Sequence, residues 1–536
     1  MSSPKERIYL YFPIALAIVL ALGIWIGSRI NQSAHALPFR HNAISHFNKL
    51  NEVLNYIEQE YVDTINEKKM VDESIENLLS QLDPHSAYIT AEDLQSVNEP
   101  LEGNFDGIGV EFHMQNDTIM VVTPLPGGPS ETVGIRAGDR IIKVDDKPVA
   151  GVHISNTDVM QKLRGPGGTK VKVTISRKGT EKTMDFIITR GKIPIFSIDA
   201  AYMLNKETGY IKISRFAATT YEEYLSAFHK LKKQGLKTLV LDLQGNPGGY
   251  LNAATKLADE FLPKNKLIVY TQGKARPRET YYSTATGEFE KGKLIVLINE
   301  GSASASEILA GALQDLDRAT IVGRRSYGKG LVQEQSLFPD GSAVRLTIAR
   351  YYTPSGRCIQ KSYQNGIEQY NEDLIQRMKS GEMESADSIK IADSLKYKTA
   401  GGRIVYGGGG IVPDVFVPLD TNSLTTSYYA GLINQFVFDF VDENREKLAG
   451  FKDFKVFNKG FNISKEHLSQ FYQYLQKRGI KKEKTKHLDE YYLKINIKAL
   501  IARQLFKNEG FYIILQETNP AITKALEIAE KKEKVK

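Results

Sequence analysis

The sequence predicts a multidomain protein of mixed α/β and α+β class, and three observations carry that reading. Strands and helices alternate between Ile195 and Thr353, glycine-separated β-type runs precede them, and apolar spacings of three and four residues mark both flanks. At 536 residues the chain is several ordinary domains long, so about three to five units are expected.

Apolar residues make up 41%, aromatics 10% and charged residues 25%, the profile of packed cores and not of disorder. Lys and Arg number 70 against 63 Asp and Glu, a small excess of +7 that argues against a nucleic-acid partner. The single cysteine, Cys358, excludes an intramolecular disulfide and a cysteine zinc cluster. Neither a metal nor a cofactor is expected.

The elements follow in chain order. Lys5 and Arg7 precede an uncharged run from Tyr9 to Ile26, long enough to cross a bilayer, which predicts a cytoplasmic tail at 1–8 and a transmembrane anchor at 9–28. A cleavable leader ending at Ala34-His35-Ala36 is the rival, but that site lies well beyond the apolar run. Either way the chain beyond Arg29 is expected to be exported, and the anchor reading makes it a single-pass bacterial inner-membrane protein with the rest of its chain in the periplasm.

Residues 39–101 form a helical N-terminal region. Ile44, Phe47, Leu50, Leu54, Ile57 and Tyr61 share one helical face, and a second helix, Val71–Leu82, stops at Asp83-Pro84 because proline biases its predecessor away from helix. Residues 102–192 carry the short runs Ile108–Phe112, Ile119–Val122, Arg140–Val144, Val171–Ser176 and Met184–Thr189, interrupted by one helix at Ser155–Leu163. That is the pattern of a small half-open β-barrel.

Residues 193–420 are the α/β core. Strands are expected at Gly209–Ser214, Thr238–Leu243 and Leu294–Asn299, and helices at Tyr221–Gln234, Leu251–Phe261 and Ser304–Leu316. A polar insertion at 360–399 and the glycine run Gly407–Gly410 lead to a last strand, Ile411–Val417. Residues 421–536 read as a helical C-terminal region, and no 20–50-residue repeat is found.

Three segments carry candidate chemistry. An apolar strand from Leu294 runs into Gly301-Ser-Ala-Ser-Ala-Ser-Glu307, which presents serine at a helix N-terminus, where unpaired N–H groups and the dipole suit an oxyanion. Ser302, Ser304 and Ser306 are all open as the nucleophile, and all could equally serve as caps. A nucleophilic serine needs a base, yet His229, the only histidine between His153 and His467, falls within a helical pattern, which disfavours a Ser-His-Asp triad.

Lys329 stands between two glycines before an extended run, on one face with Leu331 and Gln333. Lysine is a base only when burial makes it neutral, and Gln333 can hold a neutral amine without adding charge. In the third segment, Asp242-Leu-Gln-Gly-Asn-Pro-Gly248-Gly249, a buried strand ends in a glycine turn whose amides can approach a ligand. Ser326-Tyr-Gly-Lys329 has the S-x-x-K spacing of penicillin-binding enzymes but lacks their S-D-N and K-T-G elements, so that reading is set aside.

Together with Leu-Asp-Pro-His-Ser-Ala-Tyr at 82–88 and Tyr351-Tyr-Thr-Pro-Ser-Gly-Arg357, these segments resemble the carboxyl-terminal processing peptidases, or tail-specific proteases: serine/lysine endopeptidases with a PDZ domain. The resemblance covers roughly Leu82–Thr353 and Gly410–Val417. It implies a crotonase-like α/β peptidase core with a PDZ β-barrel domain, a helical N-terminal arm and a helical C-terminal region. It selects Ser304 as nucleophile, Lys329 as base and Gln333 as its orienting partner. It also implies an oxyanion hole from the N–H of Ala305 and of Gly248 or Gly249, and supporting roles for Glu307, Asp315 and Ser326.

The PDZ carboxylate loop would be Gly107-Ile108-Gly109-Val110, with Val159 and Leu163 as pocket walls, so that protein substrates are chosen by their C-terminal tails. A homo-oligomer is among the assemblies expected. Gln244 departs from the arginine common before the glycine turn. The competing functional class is a non-catalytic, membrane-anchored PDZ scaffold that binds protein C-termini; it needs none of Ser304, Lys329 and Gln333.

Overall fold

The computed structural model describes residues 44–125, 127–485 and 487–531. The chain divides into two compact units, residues 1–77 and 78–536. In the first, Ile44–Glu60 is a helix and a second helix, Glu67–Ser80, begins.

The heart of the second unit is a six-stranded sheet in the order Ile198–Met203, Thr208–Ile213, Thr238–Asp242, Lys293–Ile298, Thr320–Gly323 and Val415–Phe416. Only the first pair is antiparallel. Thr208–Ile213 and Thr238–Asp242 are buried along their whole length, which is why they read as unbroken apolar runs: helices cover both faces of a parallel sheet. One face packs on Thr220–Lys232, Leu251–Asp259 and Ala305–Asp315. The other, through Val240, Ile295 and Leu297, packs on Ala521, Ile522 and Ala525 of the Pro520–Glu530 helix.

A second sheet, which the sequence pattern did not reveal, is antiparallel and carries the site. Ala343–Tyr352 pairs with Leu331–Leu337 on one side, with Gln333 opposite Thr347 and Gln335 opposite Arg345. The opposite edge of its first residues, Ala343–Arg345, pairs with Ala87–Ile89, which brings the 82–88 segment beside the Lys329 loop.

Where a small half-open β-barrel was expected at 102–192, residues 110–189 form a six-stranded antiparallel sheet, with Arg140–Val144 and Met184–Thr189 as two of its strands. Its entry and exit are joined by the antiparallel pair Asn104–Gly107 and Gly191–Pro194. The C-terminal region is helical, with its own core around Phe436, Phe457 and Phe471. It meets the barrel where Phe438 stacks on His113 at 4.5 Å and Arg140 pairs with Asp442 at 2.8 Å. The 360–399 insertion contains the helices Ile367–Asn371 and Asp373–Lys379 and is anchored by the buried Arg377, bonded to Glu382 at 2.8 Å and to Ser326 O at 3.2 Å.

The anchor expected at 9–28 and the tail at 1–8 lie outside the described residues. Among the described residues no helix is long and apolar enough to cross a membrane, against the expectation of a single-pass inner-membrane protein with its exported part in the periplasm. The longest helical run described, Glu490–Leu515, carries Lys494, Lys498, Arg503, Lys507 and Glu509 and is broken at Phe506–Lys507, where the backbone leaves the helical region.

Candidate active site

The strand Lys293–Ile298 ends at a turn whose serines divide into two kinds. Ser302 and Ser306 are fully buried and bind the turn itself, Ser302 Oγ donating to Leu243 O at 2.7 Å and Ser306 Oγ to Asn246 O at 3.0 Å. Ser304 is only half-buried and lines a cleft of about 1280 Å³. It immediately precedes the Ala305–Asp315 helix with φ 54° and ψ −114°, a conformation that costs a side-chain-bearing residue of order 1–3 kcal/mol and that the surrounding bonds must impose. Glu307 Oε2 supplies one, accepting from Ser304 N at 2.8 Å.

Opposite lies the glycine turn. Gly248 has φ 97°, and a Cβ there would fall 2.8 Å from both Ser304 Cβ and Ala305 N, so only glycine lets this backbone close on the serine. Asn246 is buried and holds the turn, donating to Ile213 O at 3.0 Å and accepting from Gly248 N at 2.8 Å. The Gly248 N–H is therefore occupied. Among the described residues neither Gly249 N–H nor Ala305 N–H donates a hydrogen bond.

Glu307 is the hub of the Lys329 loop. Its carboxyl accepts from Ser326 Oγ (2.5 Å), Gly328 N (2.8 Å) and Lys329 N (2.9 Å), and Ser326 Oγ in turn accepts from Ile411 N (2.6 Å). Burial pushes this carboxyl up to about 7, opposed by those same bonds. Tyr351 Oη donates to Lys329 O at 2.8 Å and lies 3.2 Å from Ser304 O, which ties the two loops together.

The Lys329 ammonium donates to Gln333 Oε1 at 2.9 Å, and Gln333 Nε2 donates to His85 O. A carboxamide whose N–H₂ end is engaged must offer its oxygen to the lysine, so the 82–88 segment fixes which way Gln333 faces. Asp83 braces that segment, accepting from His85 N (2.8 Å), Ser86 N (2.9 Å), Ser86 Oγ (2.6 Å) and Thr347 Oγ1 (3.1 Å). His85 itself bonds Tyr370 Oη at 2.7 Å, and burial lowers its imidazole to about 4, so it is neutral at physiological pH.

Burial also pushes the Lys329 ammonium below its ordinary value. The Arg345 guanidinium adds to this, while Asp83 and Glu307 oppose it. Among the described residues Lys329 has no ion-pair partner, and its side chain is not hydrogen-bonded to Ser304; such pairs are often loose without substrate.

Asp315 lies away from the cleft, at the far end of the same helix, where it forms a fully buried pair with Arg357 at 2.8 Å. In the PDZ-like barrel, Ile108 N–H and Gly109 N–H donate no hydrogen bond among the described residues, while Ser130 N (3.0 Å) and Oγ (2.6 Å) both hold Ile108 O. Gly107 closes the Asn104–Gly107 strand and Val110 opens the edge strand Val110–Gln115. Ile108, Val159 and Leu163 are 2%, 0% and 4% exposed, within one core. The structure thus brings Ser304, Lys329, Gln333, Gly248 and Gly249 to one cleft, with Glu307 and Ser326 behind it. Sequence reasoning missed Asp83, the His85 carbonyl, Tyr351, Asn246 and Arg345; the 82–88 motif was the signal for the first two.

Peptidase family S41 matches residues 207–370, the PDZ domain family matches 107–188, and a family of unknown function matches 424–507. The chain is similar to the carboxy-terminal-processing protease of Bartonella bacilliformis, 35% identical over 354 residues covering 65% of this chain and 80% of that one. It is also similar to the carboxy-terminal processing protease CtpA of Bacillus subtilis, 33% identical over 358 residues, 67% and 76% of the two chains. Among solved structures, the photosystem II D1 C-terminal processing protease is 28% identical with a TM-score of 0.36, covering 69% of this chain and 86% of that one.

Proposed function

The chain belongs to the carboxy-terminal processing proteases of peptidase family S41, which are serine proteases, and from that premise we propose that Ser304 is its nucleophile, Lys329 the general base and Gln333 the residue that orients the base. The non-catalytic scaffold reading is thereby set aside. The observation that carries the proposal is the Lys329 amine, buried in the same cleft as Ser304 with a neutral carboxamide as its hydrogen-bond partner.

In this mechanism neutral Lys329 takes the Ser304 Oγ proton as Oγ attacks the scissile carbonyl carbon. The oxyanion that forms is received by Gly249 N–H and Ala305 N–H, the latter at a helix N-terminus, and Gly248 leaves room for the approach. The Lys329 ammonium then protonates the departing amine. Water, activated by the again neutral lysine, hydrolyses the acyl-serine and restores both groups. Glu307 and Ser326 hold the base loop, and Asp315 braces the far end of the helix through Arg357 and the Ser355 N–H.

We assign the core at 193–420 to the crotonase-like fold, between a helical region at 39–101 with the PDZ domain at 102–192 and the helical region at 421–536. Protein substrates are selected by C-terminal tails at Gly107–Val110, whose free Ile108 and Gly109 N–H groups suit a carboxylate. Purified chain incubated with an unfolded protein should yield fragments by mass spectrometry that are absent with Ser304→Ala. Equal fragmentation by both would remove Ser304 from the mechanism.

A further inference from the structure

We propose that Arg345 is a specificity-determining residue that binds a carboxylate of the substrate near the scissile bond, and that its occupancy sets the pH at which Lys329 works. The location relative to the scissile bond, and the link to Lys329, rest on the reading of Ser304 and Lys329 given above.

Arg345 lines the same cleft as Ser304 and Lys329. It faces Gln335 across the strand pair, one step along from the Gln333–Thr347 level at which Lys329 is held. Two residues of extended chain span about 7 Å, so a substrate lying along the cleft would place its carboxylate roughly two or three residues from the bond that is cut.

The guanidinium is half-buried, and its bonds go to neutral oxygens: Gln335 Oε1 at 2.8 Å and Asn98 Oδ1 at 3.4 Å. Among the described residues Arg345 has no carboxylate partner, whereas Arg276 in the same cleft and three arginines elsewhere in the core are matched. Arg276 pairs with Glu334, Arg324 with Glu300, Arg325 with Glu382 and Arg357 with Asp315. The other cleft cations lie over aromatic rings, Arg278 at 3.8 Å from Tyr270 and Lys256 at 6.0 Å from Tyr221. A planar fork with donors to spare and reduced hydration fits one ligand best, a carboxylate taken bidentately.

The same charge acts on the base. Lys329 is faced by Asp83 and His85 from the 82–88 segment, Glu307 from the Ala305–Asp315 helix, Gln333 from its own strand, and Arg345 and Tyr351 from Ala343–Tyr352. Arg345 is the cation that disfavours a protonated Lys329. A bound carboxylate neutralises it, so Lys329 then holds its proton to higher pH.

The test uses the full chain and unstructured peptides with Asp or Asn scanned through each position around the cleavage site, every peptide with free and amidated C-termini. At one position Asp is expected to raise kcat/KM about tenfold over Asn, the size of one charged hydrogen-bond pair. Arg345→Gln should abolish that preference and Arg345→Lys should keep part of it. If free acids outrun amides whatever residue is scanned and Arg345→Gln removes that difference, the carboxylate is the terminal one; if Asp outruns Asn in amides too, it is a side chain.

For the favoured acidic peptide the acid limb of kcat, which reports the complex, should lie at higher pH than that of kcat/KM, which reports the free enzyme. Arg345→Gln should move the kcat/KM limb upward. Equal rates for Asp and Asn at every position together with equal rates for acid and amide, or a preference that survives in Arg345→Gln, would overturn the subsite. The same preference measured as peptide affinity in Ser304→Ala chain needs no catalysis, so its absence condemns Arg345, while activity retained by Lys329→Ala condemns the base.

Discussion

In the cleft, the groups assigned to chemistry are polar atoms held by other polar atoms; in the PDZ domain, the side chains expected to wall the tail groove are apolar and already packed together. Lys329 is positioned by Gln333, Gln333 by His85 O, and His85 by Asp83. Ile108, Val159 and Leu163 have no such chain of command, only each other. The difference teaches that the two sites fail differently. Losing a link in the cleft misplaces one atom and costs rate, whereas losing a side chain in the barrel leaves a cavity and costs stability.

The largest effect that would break this comparison is on Lys329. Lys329→Ala is expected to cost roughly 10⁴-fold or more in kcat, since nucleophile and base act as a unit. The sign of the pH dependence follows from its lowered proton affinity: the ammonium is inactive, the free amine active, so wild-type activity is silent in acid and rises with pH. A rate flat from mildly acidic to alkaline pH, with chemistry limiting, would dismiss Lys329 as the base.

Gln333 gives the next effect. Gln333→Ala leaves the amine unheld and should remove part of the ~10²–10⁴-fold that a positioned base supplies. Gln333→Glu keeps the reach but adds a negative charge, so Lys329 keeps its proton longer and the acid limb should move to higher pH. An unmoved limb in that variant would mean that Gln333 does not face the base in the working enzyme.

Asp315 separates rate from stability on a single helix. Glu307, at one end, is surrounded by N–H and O–H donors; Asp315, at the other, faces Arg357 with both side chains fully buried. Asp315→Ala strands a buried guanidinium and should cost about 3–5 kcal/mol in urea or thermal unfolding. At temperatures where it remains folded, kcat should be nearly unchanged. A large kcat loss in folded Asp315→Ala would return this residue to the active site.

How much of this was legible in the sequence follows the same division. Strands buried on both faces announce themselves as apolar runs, and Lys329 and Gln333 stand close enough in the chain for their shared face to be read. The antiparallel sheet was not legible, because Leu331–Leu337 and Ala343–Tyr352 are partly exposed and mix polar with apolar residues. His85 acts through a backbone carbonyl, which has no residue-type signature. Gly248 and Gly249 look alike in sequence, and only the buried Asn246 shows which N–H is already used. Pocket walls and core residues are both apolar, so Val159 and Leu163 could not be told apart from ordinary core.

The smallest expected effect sharpens that last point. Amidating the C-terminus of a peptide should weaken its binding to Ser304→Ala chain about tenfold by removing one charged acceptor from Ile108 N–H and Gly109 N–H. Proline at Gly109 is a poor probe, because φ there is 72° and an added Cβ would lie 2.9 Å from Ile193 Cδ1, so the loop would distort whatever it binds. Ser130→Ala is milder: it removes the Oγ bond to Ile108 O at 2.6 Å while leaving the Ser130 N–H bond, and should blunt the preference for a free carboxylate without unfolding the barrel. Val159→Ala, by contrast, should lower thermal stability and leave the ratio of free-acid to amide affinity as it was, since that side chain is wholly buried. If Val159→Ala changes the ratio and Ser130→Ala does not, tails are read by the apolar wall, and the barrel opens to admit them.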